Sequence, residues 1–161
     1  MIVFARIDER LLHGQVVMKW IGEVNAKQVV IADDEAAANP VLVNLFTQIS
    51  PSGVKVYVHT VEDAAKLLQT EEFKGSGTRV MILAKTPLSF VRLLDGGVEL
   101  KELNVGNMGG GAGRKKIVRG FFYATDEEIA QLKSIDARGV YVYAQNICDM
   151  DSKKPLKKLV K

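Results

Sequence analysis

One short stretch near the start of the chain concentrates side chains that can do chemistry: Arg6-Ile7-Asp8-Glu9-Arg10-Leu11-Leu12-His13-Gly14-Gln15. A histidine, two arginines and two carboxylates lie there between an apolar run and an amphipathic segment. Imidazole offers a nucleophilic nitrogen near neutral pH. The planar guanidinium groups of Arg6 and Arg10 suit a tridentate oxyanion, because they donate in pairs where lysine cannot. A helix opening at Gly14 and Gln15 adds backbone N–H donors and the positive end of its dipole. A carboxylate nearby can hold the second ring nitrogen and fix the tautomer. Together these parts suit a histidine that carries a phosphoryl group. Spacing alone leaves a second reading open, in which His13 is an ordinary histidine at a helix start and the arginines form surface ion pairs.

The second candidate is Asn104-Val105-Gly106-Asn107-Met108-Gly109-Gly110-Gly111-Ala112-Gly113-Arg114-Lys115-Lys116, with five glycines in the eight residues 106–113. Such a stretch can present N–H groups to a phosphate, or let another chain approach closely. It can equally be a flexible surface loop. It lacks the Gly-Lys-Ser/Thr of a Walker A loop and the G-x-G-x-x-G dinucleotide pattern, which disfavours an ATPase or a nicotinamide dehydrogenase. Asp33-Asp34 reads as a capped strand end and His59 as structural. Ser89 and Cys148 have no histidine partner in any motif, and no metal site is expected around the two histidines, His13 and His59.

The elements that must position these residues alternate from end to end. Strands are expected at 2–7, 28–32, 54–58, 79–84, 102–105 and 139–144, with an extended stretch over 117–124. Helices are expected from His13 to Gly22, from Asn39-Pro40 to Ile49, from Thr60 to Leu68, from Thr86-Pro87 to Leu94, and from Thr125 to Ala137. Asn39 and Thr86 precede a proline at the first helical position, and Thr60/Asp63 and Thr125/Glu128 have the spacing of capping boxes. Strands alternating with helices predict an α/β fold: an open, mainly parallel sheet with helices on both faces. Ligands of such sheets bind beyond the carboxyl ends of the strands, where the first turn and the Gly106–Gly113 loop belong.

A chain of 161 residues with 47% hydrophobic and 25% charged residues is expected to form one domain, 1–161, and its composition excludes intrinsic disorder and a disulfide scaffold. One cysteine, no apolar run long enough to span a bilayer and no signal-like start point to a cytosolic protein. The formal charge is +3, but five lysines from Lys153 to Lys161 carry it, leaving 17 basic against 19 acidic side chains elsewhere. A nearly neutral body is a poor nucleic-acid binder. The lysine tail itself is expected to be a frayed, solvated terminus.

The motif Arg6-Ile7-Asp8-x-Arg10-Leu11-Leu12-His13-Gly14-Gln15-Val16, followed by Trp20, resembles the active-site signature of the enzyme IIB component of the mannose/fructose/sorbose-type sugar phosphotransferase system. The resemblance extends over nearly the whole chain, through Asp33-Asp34, Asn104-Val105-Gly106-x-Met108, and Gly139-Val140 with Gln145. It implies an open α/β fold and a cytoplasmic phosphocarrier, peripheral to the membrane, that needs neither cofactor nor metal. His13 would accept a phosphoryl group on its δ nitrogen from a phosphorylated IIA protein and pass it to a sugar brought in by membrane subunits IIC and IID. Arg10 and Arg6 would hold the phosphoryl oxygens with Gly14 and Gln15, and Asp8 would orient the loop. Asn107 and Gly109-Gly110-Gly111 depart from the family pattern, so the loop residues Gly106, Asn107, Met108 and Gly109 are expected to bear on partner contact. Two rivals remain at this stage: a nucleotide- or small-ligand-binding regulatory domain using the glycine-rich loop, and a scaffold module acting through its lysine tail.

Overall fold

Alternation along the first strand decides which residues face which layer. The computed structural model describes residues 1–148 and 151–161, and Gln15 and Val16 through their backbone. The first half of the chain forms β1 (Ile2–Asp8), α1 (Gly14–Glu23), β2 (Gln28–Ala32), α2 (Asp34–Ala37), α3 (Pro40–Gln48), β3 (Lys55–His59), α4 (Val61–Leu68) and α5 (Glu71–Lys74). The second half forms β4 (Val80–Ala84), α6 (Pro87–Asp95), β5 (Glu102–Asn107), β6 (Lys115–Val118), β7 (Phe122–Ala124), α7 (Asp126–Ala137), β8 (Tyr141–Ala144), β9 (Lys154–Pro155) and α8 (Leu156–Leu159). Seven strands make one sheet in the order β3-β2-β4-β1-β5-β8-β9, parallel except for β9.

Ala5 and Ile7 of β1 face a core built with Val61, Ala64 and Leu68 of α4, Phe90 and Leu93 of α6, and Leu132 and Ile135 of α7. Phe4 faces the opposite layer, with Val17, Trp20 and Ile21 of α1 and Phe46 of α3. Helices therefore cover both faces, as the alternation of elements predicts. Both sides of β4 are buried, which suits its uniformly apolar sequence. The caps form as their residue types dictate: Asn39, Thr60, Thr86 and Thr125 each accept a first-turn N–H, and Thr125 with Glu128 closes a full capping box.

The connections set the place of the site. From β1 the chain leaves through α1 on one face, while from β5 it reaches β8 through α7 on the other. Since β1 and β5 are neighbours, the two crossovers part at their carboxyl ends and leave a crevice there, the topological switch point where α/β sheets bind ligands.

Three expectations are corrected. The stretch 117–124 is not one extended run: Lys115–Val118 and Phe122–Ala124 pair as an antiparallel hairpin, turning at Gly120 with φ +96°. β8 is not the last strand. The lysine tail is not frayed, because β9 pairs antiparallel with β8 and Leu156 of α8 is only 2% exposed. Isolated apolar residues between lysines give no run that a period-based reading can detect. The single-turn helices α2 and α5 escape prediction for the same reason of length.

Candidate active site

The loop leaving β1 is built around Asp8. Phe4, Arg6 and Asp8 alternate onto the face covered by α1, so a guanidinium and a carboxylate sit in an otherwise apolar layer. Neither side chain has any exposure. Arg6 Nη2 and Nε donate to Asp8 Oδ2 at 3.1 and 3.3 Å, and Nη1 donates to Asn104 Oδ1 at 2.6 Å and the Gln145 carbonyl at 3.2 Å. The guanidinium lies 5.5 Å from the Trp20 ring centroid, and that ring stacks on Phe4 at 4.5 Å. Trp20 Nε1 in turn donates to the Asn146 carbonyl at 3.1 Å. Burial pulls Arg6 below the usual arginine range, and its contact with Asp8 opposes that fall.

Gly106 makes this arrangement possible. The pairing of β1 with β5 jumps from Ile7↔Val105 to Asp8↔Asn107, so Gly106 is left out as a bulge. A Cβ there would overlap the Arg6 guanidinium. The glycine serves the close approach of a side chain.

Above Arg6, Asp8 gathers the rest of the loop. Its Oδ1 accepts the Arg10 backbone N–H at 3.0 Å and Arg10 Nε at 3.2 Å, and its Oδ2 lies 3.2 Å from His13 Nε2. Leu11 takes a left-handed φ of +56° and donates its N–H to the Asp8 carbonyl at 2.9 Å, which folds the loop back and buries Leu11 and Leu12. Burial alone would push the Asp8 carboxyl up. The hydrogen bond to His13, the Arg6 charge and the Arg10 bonds outweigh it and hold Asp8 below the usual carboxylate range.

His13 is the N-cap of α1, with extended φ and ψ and no capping bond from its side chain. His13 therefore occupies none of the first N–H groups of the helix with its ring. A carboxylate can only accept, so its partner Nε2 carries a proton, and in the neutral ring Nδ1 keeps the lone pair. Among the described residues, Nε2 is the ring nitrogen that makes a hydrogen bond. The His13 side chain is 21% exposed and that of Arg10 46%. A nucleophile and a guanidinium thus sit at the surface, on a buried carboxylate. Gly14 opens α1 at φ +37° in free space, and the Gln15 side chain lies outside the described residues.

Of the loop residues expected to meet a partner, Gly106 and Met108 are interior instead. The Met108 N–H and carbonyl bond Phe121 and Tyr123 at 2.7 and 2.8 Å. Asn107 and Gly109 keep part of their surface. The Gly109 N–H is taken by Glu9 Oε2 at 2.9 Å. A carboxylate on that donor opposes a phosphate at that N–H. In the lysine tail, Lys153 and Lys157 pair with Glu102 and Asp136 at 3.3 and 3.2 Å. Asp33 caps α2 through the Ala36 N–H, as a capped strand end should. The motif reading missed Glu9 and Arg114, whose contact spans 105 positions and leaves no local signal.

Two surface clefts occur away from His13. One lies between α4 and α6, the other at the amino ends of β1 and β5.

At its switch point this open α/β fold brings together a carboxylate-held histidine and an exposed arginine, groups that a phosphoryl transfer can use. Residues 2–161 match the family model described as "PTS system sorbose subfamily IIB component", and the chain belongs to that family. It is 33% identical over 146 residues to the N-acetylgalactosamine-specific phosphotransferase enzyme IIB component 2 of Escherichia coli, covering 91% of this chain and 90% of that one. It is 35% identical over 144 residues to the mannose-specific EIIAB component of Escherichia coli, covering 89% of this chain but only 43% of that longer protein. Among solved structures, the IIB domain of the sorbose permease from Klebsiella pneumoniae superposes with a TM-score of 0.90 at 28% identity, covering 98% and 94% of the two chains. The manxB structure from Thermoanaerobacter tengcongensis gives 0.89 at 34% identity, covering 99% and 95%. No helix among the described residues is long and apolar enough to cross a membrane.

Proposed function

We propose that this chain is a cytoplasmic phosphocarrier: His13 takes a phosphoryl group from a phosphorylated IIA protein and gives it to a sugar presented by IIC and IID at the inner face of the membrane. The single observation that carries this reading is the Asp8–His13 contact at 3.2 Å, which engages Nε2 and leaves Nδ1 as the nucleophile. Attack by Nδ1 forms one P–N bond while the donor's P–N bond breaks, and the donor ring leaves with the electron pair. In the second transfer a sugar hydroxyl attacks phosphorus, loses its proton to solvent, and Nδ1 regains its lone pair.

Both partners in the first step are imidazoles, so little driving force is needed in either direction, and catalysis reduces to in-line positioning and stabilisation of equatorial charge. Arg10 and the first N–H groups of α1, starting at Gly14 and Gln15, supply that stabilisation. The resemblance assigned Arg6 to the phosphoryl oxygens. Its full burial and its bonds to Asp8, Asn104 and Gln145 support a different role, that of fixing Asp8 from beneath.

The test incubates the protein with phosphoenolpyruvate, the general phosphotransferase proteins and a IIA protein, then reads intact mass. Wild type should gain one acid-labile phosphoryl group, and His13→Ala none. An unmodified wild type beside an active IIA would refute the reading.

A further inference from the structure

The glycine-rich loop is tied to the site by a bridge that the transfer scheme does not use. Arg114 Nη1 donates to Glu9 Oε1 and, at 2.7 Å, to the Gly109 carbonyl. Its Nε and Nη2 reach the two oxygens of Glu128 at 3.1 and 2.6 Å. Glu9 also accepts the Gly109 N–H, and Glu128 also accepts the Thr125 N–H at 2.8 Å within the capping box of α7. One guanidinium therefore joins the loop after β1, the glycine-rich loop and the start of α7.

We propose that Glu9 and Arg114 are positioning residues: they form a latch that holds the 109–113 loop against the phosphorylation loop and fixes Arg10 and His13 for transfer. The inference rests on the phosphocarrier reading. Residues 109–113 hold four glycines, which lose more conformational freedom on ordering than any other residue, so a fixed path needs explicit ties. The ties that fold this loop back run through Glu9 and Arg114, joined by the Arg114 N–H to the Gly111 carbonyl at 3.1 Å. All three charged groups of the bridge are partly withdrawn from solvent, which limits screening. Bonding to Glu128 raises Arg114 against its partial burial, so the guanidinium stays charged at any working pH. Glu9 immediately precedes Arg10, and its own N–H bonds the Asn107 carbonyl at 3.0 Å. A shift of the loop is thereby passed to the residue that meets the phosphoryl oxygens.

The test measures single-turnover phosphorylation of His13 against concentration of phosphorylated IIA for wild type, Glu9→Ala, Arg114→Ala, the double variant and Arg114→Lys. Each alanine variant should lower the maximal rate roughly ten- to hundredfold, the cost of a small misplacement, with little change in the half-saturating donor concentration. The double variant should be no slower than the slower single one, since one latch is broken either way. Arg114→Lys, which cannot fork across two carboxylates, should fall between. Exchange of the Gly109 amide should quicken in Glu9→Ala at an unchanged melting temperature, and this partly exposed site keeps the test open if Arg114→Ala fails to fold. Wild-type rates in Glu9→Ala would overturn the latch. So would an unaltered Gly109 exchange rate, which judges it even if wild type accepts no phosphoryl group and the phosphocarrier reading itself falls.

Discussion

At the scale of single residues, Asp8 accepts from Arg6, Arg10 and His13 while wholly buried, and the balance of those contacts keeps it ionised. Its folded carboxyl lies below the unfolded value, so the unfolded chain binds the proton more readily. Stability from this group is therefore fully present above the unfolded carboxylate range of about 4 and is lost as pH falls through the lower, folded value. Asp8→Asn should cost about 3–5 kcal/mol at neutral pH, because it strands the buried Arg6 charge. Denaturant titrations should show that difference narrowing below about pH 4, and a gap that stays constant down to pH 2 would contradict the assignment. Gly106→Ala probes the same cluster from the other side. Its Cβ would meet a guanidinium with nowhere to go, for a cost of about 3 kcal/mol, the upper end of overpacking. Urea midpoints measure it.

The caps show why the elements were largely legible. Asn39, Thr60, Thr86 and Thr125 are local signals, each satisfied within three residues of itself, so sequence spacing carries them directly. The motif from Arg6 to Gln15 was legible for the same reason, and the loop holds its predicted residues together. What escaped reading is long in sequence. Arg6 meets Gln145 across 139 positions and Arg114 meets Glu9 across 105, and no local pattern reports either contact. Arg6 in particular read as a surface oxyanion ligand, since its place beneath Asp8 depends on the Gly106 bulge in another strand. The order of the tail left no sequence signal because isolated apolar residues carry its packing, Leu156 fully buried and Leu159 and Val160 partly so. Leu156→Ala should accordingly destabilise the protein by about 2–5 kcal/mol, measured by thermal or urea unfolding. A neutral result would return the tail to the status of a frayed end.

At the scale of the molecule, sheet order and site chemistry are one fact. Adjacent strands β1 and β5 send their crossovers to opposite faces, and the crevice between them receives the His13 loop from one and the glycine-rich loop from the other. A small set of tight, buried polar contacts there holds a partly exposed histidine against an otherwise apolar scaffold. The most direct measurement is the position of the phosphoryl group on the His13 ring, read from long-range proton–nitrogen correlation spectra of the phosphorylated, nitrogen-labelled protein. With Asp8 on Nε2, the phosphoryl group should sit on Nδ1. A group found on Nε2 would mean that Asp8 gives up the ring before transfer, and would contradict this account of the site.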